Sequence, residues 1–402
     1  MTYSKKITLN IFALAVTAFF VSAANAQIAV VGETVWTMTG APISNGIVLM
    51  NNGKITAVGP AASVSIPAGY RVINAKVVTP GLIDAHTVIG LNGYLNQPHD
   101  QMALDGGGSF QPELRAIDAY NAEERLIEWV REFGVTTIHT GHQPSALVSG
   151  QTMIAKTAGK NVDQATIVPT AMIAATIGQA ASAGAGRSPG SRAKMAAMLR
   201  AELIKALENS KKTEQPRDPR ASTMIRVIKG EIPMLITAER SQDIMTAIRI
   251  AKEFNIKIIL DGAADAHMVL DEIKASGFPV IVHATMARPG GDRENLSMEN
   301  ASKLKAAGIP FALQSGYEGY VPKTRVILFE AGVAAANGLS QRDALASITI
   351  DAARILGIDN RVGSLAVGKD ADIAMYNGDP FEYTTHCIGT IINGQVVSEV
   401  KR

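Results

Sequence analysis

Histidine, aspartate and glutamate can hold a divalent metal or move protons, and in this chain several of them end short apolar runs. His86 closes Pro80-Gly81-Leu82-Ile83-Asp84-Ala85-His86, His139 closes a second run with His142 just beyond, and His283 closes a run starting at Pro279. Lys156, Glu239 and Asp261 end three more. Two or three imidazoles with a carboxylate suffice for a catalytic zinc that keeps one position open for water. On this reading His86, His139 or His142, and His283 hold one metal, while Asp261 or Glu239 completes the shell or acts as general base. Glu318, between the rings of Tyr317 and Tyr320, would orient the substrate, its flanking rings lining a pocket or raising its pKa. The plainer alternative is that these are ordinary hydrogen-bonding residues, and that the 317–320 loop packs on its own tyrosines. His99 in a polar loop, His267 on a predicted helix and His386 near the C-terminus are expected to be surface or locally bonded groups.

Those groups share a mouth only if the runs are parallel strands of one barrel. The pattern predicts eight: Val78 to Ile83, Val135 to His139, Thr152 to Lys156, Thr166 to Ala171, Pro233 to Ala238, Ile256 to Leu260, Pro279 to His283, and Pro310 to Gln314. Helices alternate with them. The clearest begins at Ser241, read as its cap, and sets Ile244, Ala247, Ile248 and Ala251 on one stripe. Asn121 starts another that Gly134 closes, and Ser340 starts a third. Eight strands alternating with helices imply an α/β chain with a (β/α)8 TIM-like barrel whose site lies at the C-terminal strand ends. The Gly-, Ala- and Ser-rich stretch 178–190 reads as a lid or a tolerated insertion.

Outside the barrel the spacing shortens. Gly46 to Met50 and Lys54 to Val58 meet through Asn51-Asn52-Gly53, and Gly389 to Ile392 meets Gln395 to Val397 through Asn393-Gly394, two hairpin signals. The two β-rich ends are therefore expected to form one small β-sandwich from residues 27–79 and 362–402, around a barrel of residues 80–361.

Residues 1–26 carry Lys5 and Lys6, an apolar run from Ile7 to Val21, and Ala23-Ala24-Asn25-Ala26, which reads as a secretory signal peptide. Thr8, Asn10 and Thr17 interrupt the run, which falls short of the roughly 20 apolar residues that span a bilayer. The chain is expected to be exported, periplasmic or secreted, with no membrane span after cleavage. Without Lys5 and Lys6 the formal charge falls from +2 to 0, leaving no excess to attract nucleic acid or anionic lipid. Cys387 is the only cysteine, so cross-links and zinc-finger sites within the chain are excluded.

Three motifs in order resemble the amidohydrolase superfamily, in its imidazolonepropionase-like and prolidase-like branch. Pro80 to His86 resembles the first barrel strand, Ile348 to Gly357 the last barrel helix, and Gly363-Ser364-Leu365 with Gly368-Lys369-Asp370-Ala371-Asp372-Ile373 the return to the sandwich. The resemblance implies a metal-dependent hydrolase of C–N (amide) or dipeptide bonds, acting on a small amide or peptide-like substrate; a homo-oligomer is left open. It also implies ligands: His-x-His on strand one, Lys or Glu on strand four, His on strands five and six, and Asp on strand eight. This chain has Val88, Thr237, Gly262 and Gly316 at those positions, and Ala171-Met172 ends strand four. Two expectations follow: a hydrolase with an altered site for one divalent metal, zinc first, or an inactive pseudoenzyme that binds a small molecule or partner at the mouth without metal.

Overall fold

The computed structural model describes residues 27–184, 186–214, 216–317 and 326–402; the expected signal peptide and Glu318 lie outside them. The chain ends fold together. Strands β1 (Ile28–Val35), β2 (Ile43–Asn51), β3 (Lys54–Pro60) and β4 (Arg71–Pro80) join three strands from the C-terminal part in one seven-stranded sheet. Asn52-Gly53 and Asn393-Gly394 take positive φ at both turn positions, as such hairpins require. The two tips touch: a Cβ on Gly394 would lie 3.0 Å from Gly53 Cα.

The chain leaves this sheet for the barrel at Gly81, where a Cβ would fall 2.1 Å from Thr136 Oγ1, so only glycine fits. The barrel staves are β5 (Leu82–Thr87), β6 (Val135–Thr140), the near-continuous pair β7 (Val148–Gln151) and β8 (Met153–Lys156), then β10 (Ile173–Thr176), β11 (Met234–Ala238), β12 (Ile258–Gly262), β13 (Val280–Val282) and β14 (Phe311–Leu313). Short β9 (Thr166–Val168) pairs outside the run with β8. The chain returns to the first sheet through β15 (Ile373–Tyr376), β16 (Cys387–Ile392) and β17 (Gln395–Ser398). One parallel bridge, Thr87 to Gly316, spans the seam between first and last staves, where Ser315 N also donates to Asp84 at 3.1 Å. The architecture is an α/β TIM-like barrel with a small terminal β-sandwich.

Two expectations are corrected here. The third stave runs antiparallel to its neighbours, β8 against β6 and β7 against β10, because residues 141–147 are too few for the crossover a parallel neighbour needs. Lys156 therefore sits at the base, not the mouth. The fourth stave is Ile173–Thr176, parallel to β11, rather than Thr166 to Ala171.

The helix Ser241–Phe254 buries Ile244, Ala247, Ile248 and Ala251 as the stripe requires. Ser241 is its first residue rather than its cap, and Asp265 Oδ2 accepts from its backbone N–H at 3.0 Å. Ser340 does cap Gln341–Ser347, accepting from Asp343 N at 3.1 Å. The Asn121 helix starts later, at Arg125, capped by Glu124.

Candidate active site at the barrel mouth

Strand alternation builds the site. Ile83, Leu235, Ile259, Ile281 and Ala312 pack together in the barrel core, so the residues two places further along β11 and β12 and just past β14, namely Thr237, Asp261 and Gln314, face inward one layer nearer the mouth. They converge on Asp261. Its Oδ1 accepts from Gln314 Nε2 at 2.9 Å and faces His86 Nδ1 at 2.9 Å, while Thr237 Oγ1 donates to Oδ2 at 2.6 Å. All four residues are buried. Burial opposes charge on both members of the His86–Asp261 pair, but each holds the other charged: the Asp261 carboxyl lies below its usual pKa and the His86 imidazole above. His86 Nε2 has no hydrogen-bond partner.

His139 stacks near His86, ring centres 5.9 Å apart, but both its nitrogens are engaged. Nδ1 lies 2.6 Å from the Ala85 carbonyl, so it carries the proton and donates. That leaves Nε2 as acceptor for Thr152 Oγ1 at 2.7 Å, with no lone pair left for a metal. Burial pushes the His139 pKa down to about 3. His142 lies beyond β6 against Gly150, buried, with neither ring nitrogen hydrogen-bonded. His283 turns Nδ1 to the Ala284 carbonyl at 2.9 Å, and burial lowers its pKa to about 4. Among the described residues no three His, Cys, Asp or Glu side chains are grouped to hold a metal ion. The donor set therefore does not fit the centre that the ligand pattern calls for.

Above this layer a cavity of about 220 Å³ opens between Thr176, Gly178, Thr237, Glu239, Arg293 and Tyr317. Gly178, Gln179 and Ala180 supply part of its wall, and Gln179 N donates to Asp292 Oδ2 at 2.5 Å, tying this stretch to the loop carrying Arg293. Two carboxylates line it, Asp292, which pairs with Arg192, and the buried Glu239. Tyr317 OH donates to its Oε1 at 3.0 Å and Ala264 N to its Oε2 at 3.1 Å. Burial pushes the Glu239 pKa up to about 7, against the pull of Arg293. Gly262 makes room for it: a Cβ there would lie 2.7 Å from Glu239 Oε2, on a backbone with φ of 73°. Thus the carboxyl of Glu239 fills space that a side chain at 262 would need.

Of the residues expected at one mouth, His86, Asp261 and Glu239 belong to this arrangement. His139 stands behind it, His142 and His283 are turned to their own surroundings, and Lys156 is at the other end. Thr176, Gln314 and Arg293 were not among the expected residues. Inward alternation from Ala312 could have given Gln314, whereas nothing in the spacing marks Arg293.

The description "Amidohydrolase family" matches residues 315–398. The imidazolonepropionase of Acidiphilium cryptum is 23% identical over 86% of this chain and 90% of its own. An amidohydrolase from Thermotoga maritima superposes with a TM-score of 0.87 at 25% identity, over 93% of this chain and all of that one. A prolidase described as putative in Bifidobacterium longum shares the fold, at 18% identity and a TM-score of 0.54, over 93% and 95% of the two chains. With its barrel, terminal sandwich and mouth-facing strand ends, this chain is similar over most of its length to proteins of the amidohydrolase superfamily. The relatives from Acidiphilium cryptum and Brucella anthropi that match most of its length, at 23% and 22% identity, are both imidazolonepropionases.

Proposed function

We propose that this chain is an exported hydrolase that cleaves the C–N (amide) bond of a small, dipeptide-like or N-acylated molecule in the mouth cavity, with an altered centre in place of the superfamily's metal site. One observation carries the reading: a buried carboxylate, Glu239, whose pKa is about 7, stands in a cavity at the C-terminal end of a barrel strand. The relatives' names support C–N hydrolysis. In its charged form Glu239 takes a proton from a water as that water's oxygen bonds to the amide carbon; the proton then passes to the departing nitrogen as the C–N bond breaks. Tyr317 fixes the carboxyl, and Arg293 bears on the same space. The superfamily is generally metal-dependent, but with these donors no step runs through a metal. Glu239→Gln is the test, on a panel of N-acyl amino acids and dipeptides. Loss of general base catalysis lowers kcat by about 10² to 10⁴-fold; a variant as active as the parent sinks the reading.

A second reading, a pseudoenzyme that binds a small molecule or partner at the same mouth, is favoured by the saturation of Asp261 by His86, Thr237 and Gln314. It predicts saturable binding without turnover in both parent and Glu239→Gln. The neutral balance of residues 27–402 supports no nucleic-acid partner, and among the described residues no helix is long and apolar enough to cross a membrane.

A further inference from the structure

A second cavity, about 530 Å³, lies between the helix Ile327–Ala336 and the segment 380–387. Its walls are aromatic: Phe133, Phe329, Phe381 and Tyr383. Trp129, Phe133 and Phe329 form an edge-to-face row, successive ring centres 5.2 Å apart. The row ends in the open, with Phe329 41% exposed; Tyr383, elsewhere on the lining, is wholly exposed. Aromatic surface left uncovered at a concavity marks a binding site more often than a structural accident.

Two features of the lining indicate what fits. Gly332 sits mid-helix, one turn from Phe329, and a Cβ there would meet only Phe381 Cδ1, at an ordinary 3.7 Å. Alanine would fit and strengthen the helix, so neither sterics nor backbone conformation demands the glycine, which keeps the wall open. The second feature is polar: His386 Nδ1 is buried without a hydrogen-bond partner. Charge on the lining is balanced, since Arg402 is held by Glu132 at 2.5 Å and lies over the Trp129 ring at 4.8 Å, and Glu382 faces solvent.

We propose that this cavity binds a neutral, planar aromatic small molecule, its rings against Phe133, Phe329 and Phe381 and one hydrogen-bonding edge at His386 Nδ1. The volume lies within the roughly 300 to 1,000 Å³ of small-molecule sites. Rings at this spacing favour another ring, edge-on or offset, over an aliphatic chain.

The probe is 2-naphthol, titrated into the full chain by calorimetry, with naphthalene as the analogue lacking the hydroxyl. One saturable site is expected, weakened at least tenfold by Gly332→Leu, whose side chain fills the space, and several-fold by Phe329→Ala, which needs no added volume in the fold. His386→Ala should weaken 2-naphthol but not naphthalene. Glu239→Gln should leave binding unchanged. Absence of saturation, or parental affinity in both Gly332→Leu and Phe329→Ala, overturns the proposal. So does loss of binding in Glu239→Gln, which would put the probe in the mouth.

Discussion

At the base of the barrel, Lys156 pairs with Asp372 and lies 3.2 Å from Asp370, while Lys54 and Arg361 reach Asp370 at 2.6 and 2.9 Å. Asp372 also accepts from Asn393 N at 2.9 Å. Every charge there has its opposite, and the set ties a barrel stave to the terminal sheet. At the mouth Asp261 is equally well served, yet around it His86 Nε2, Gln314 Oε1 and Thr176 Oγ1 are buried without hydrogen-bond partners. Unpaired buried polar atoms cost stability unless something else meets them. On the proposed function, the base holds the fold together and the mouth takes the ligand, in keeping with where barrels place sites.

Lys156→Ala would test the base most severely. It leaves Asp370 and Asp372 buried beside less positive charge, a loss of about 3 to 5 kcal/mol in denaturant unfolding. Binding or turnover at the mouth should persist in the fraction that remains folded. At the mouth the effects should reverse: Glu239→Gln removes function, as above, with little change in unfolding at pH 7. Equal damage to both properties at both ends would erase the distinction.

Acidity sharpens it further. The Glu239 carboxyl keeps its proton to about pH 7 in the folded chain, against an ordinary value of 4.5. The folded state therefore binds the extra proton between those values; the stability it lends is complete below about 4.5 and lost as pH rises through about 7. Turnover needs the charged form and should rise through the same pH 7. Glu239→Gln should flatten this part of the stability profile, which thermal unfolding across the range can show. A smaller effect is expected from Thr237→Val, which removes one donor to Asp261: about 1.5 to 3 kcal/mol of stability, with no change in bound metal.

Local chemistry was legible where it is local. Asn52-Gly53, Asn393-Gly394 and the Ser340 cap act within a few residues, and the structure shows each where expected. The antiparallel third stave turns on the length of 141–147, a constraint outweighed in the sequence by the regular recurrence of apolar runs. The fourth stave was misplaced because Thr166–Val168 has stronger β character than Ile173-Ala174-Ala175-Thr176, and burial decided instead. In the site, Thr237 and Gly262 read only as missing ligands. Their roles arise from register, in which Thr237 pairs with Asp261 and Ala238 with Gly262 across two strands. No periodicity carries that information.

Metal content tests the central claim most directly, namely that hydrogen bonds to Asp261 stand where a metal centre would. On protein purified without chelator, less than about a tenth of an equivalent of zinc, manganese or iron is predicted, with a Tm unmoved by chelator or added zinc. Near-stoichiometric metal whose removal lowers the Tm would contradict it.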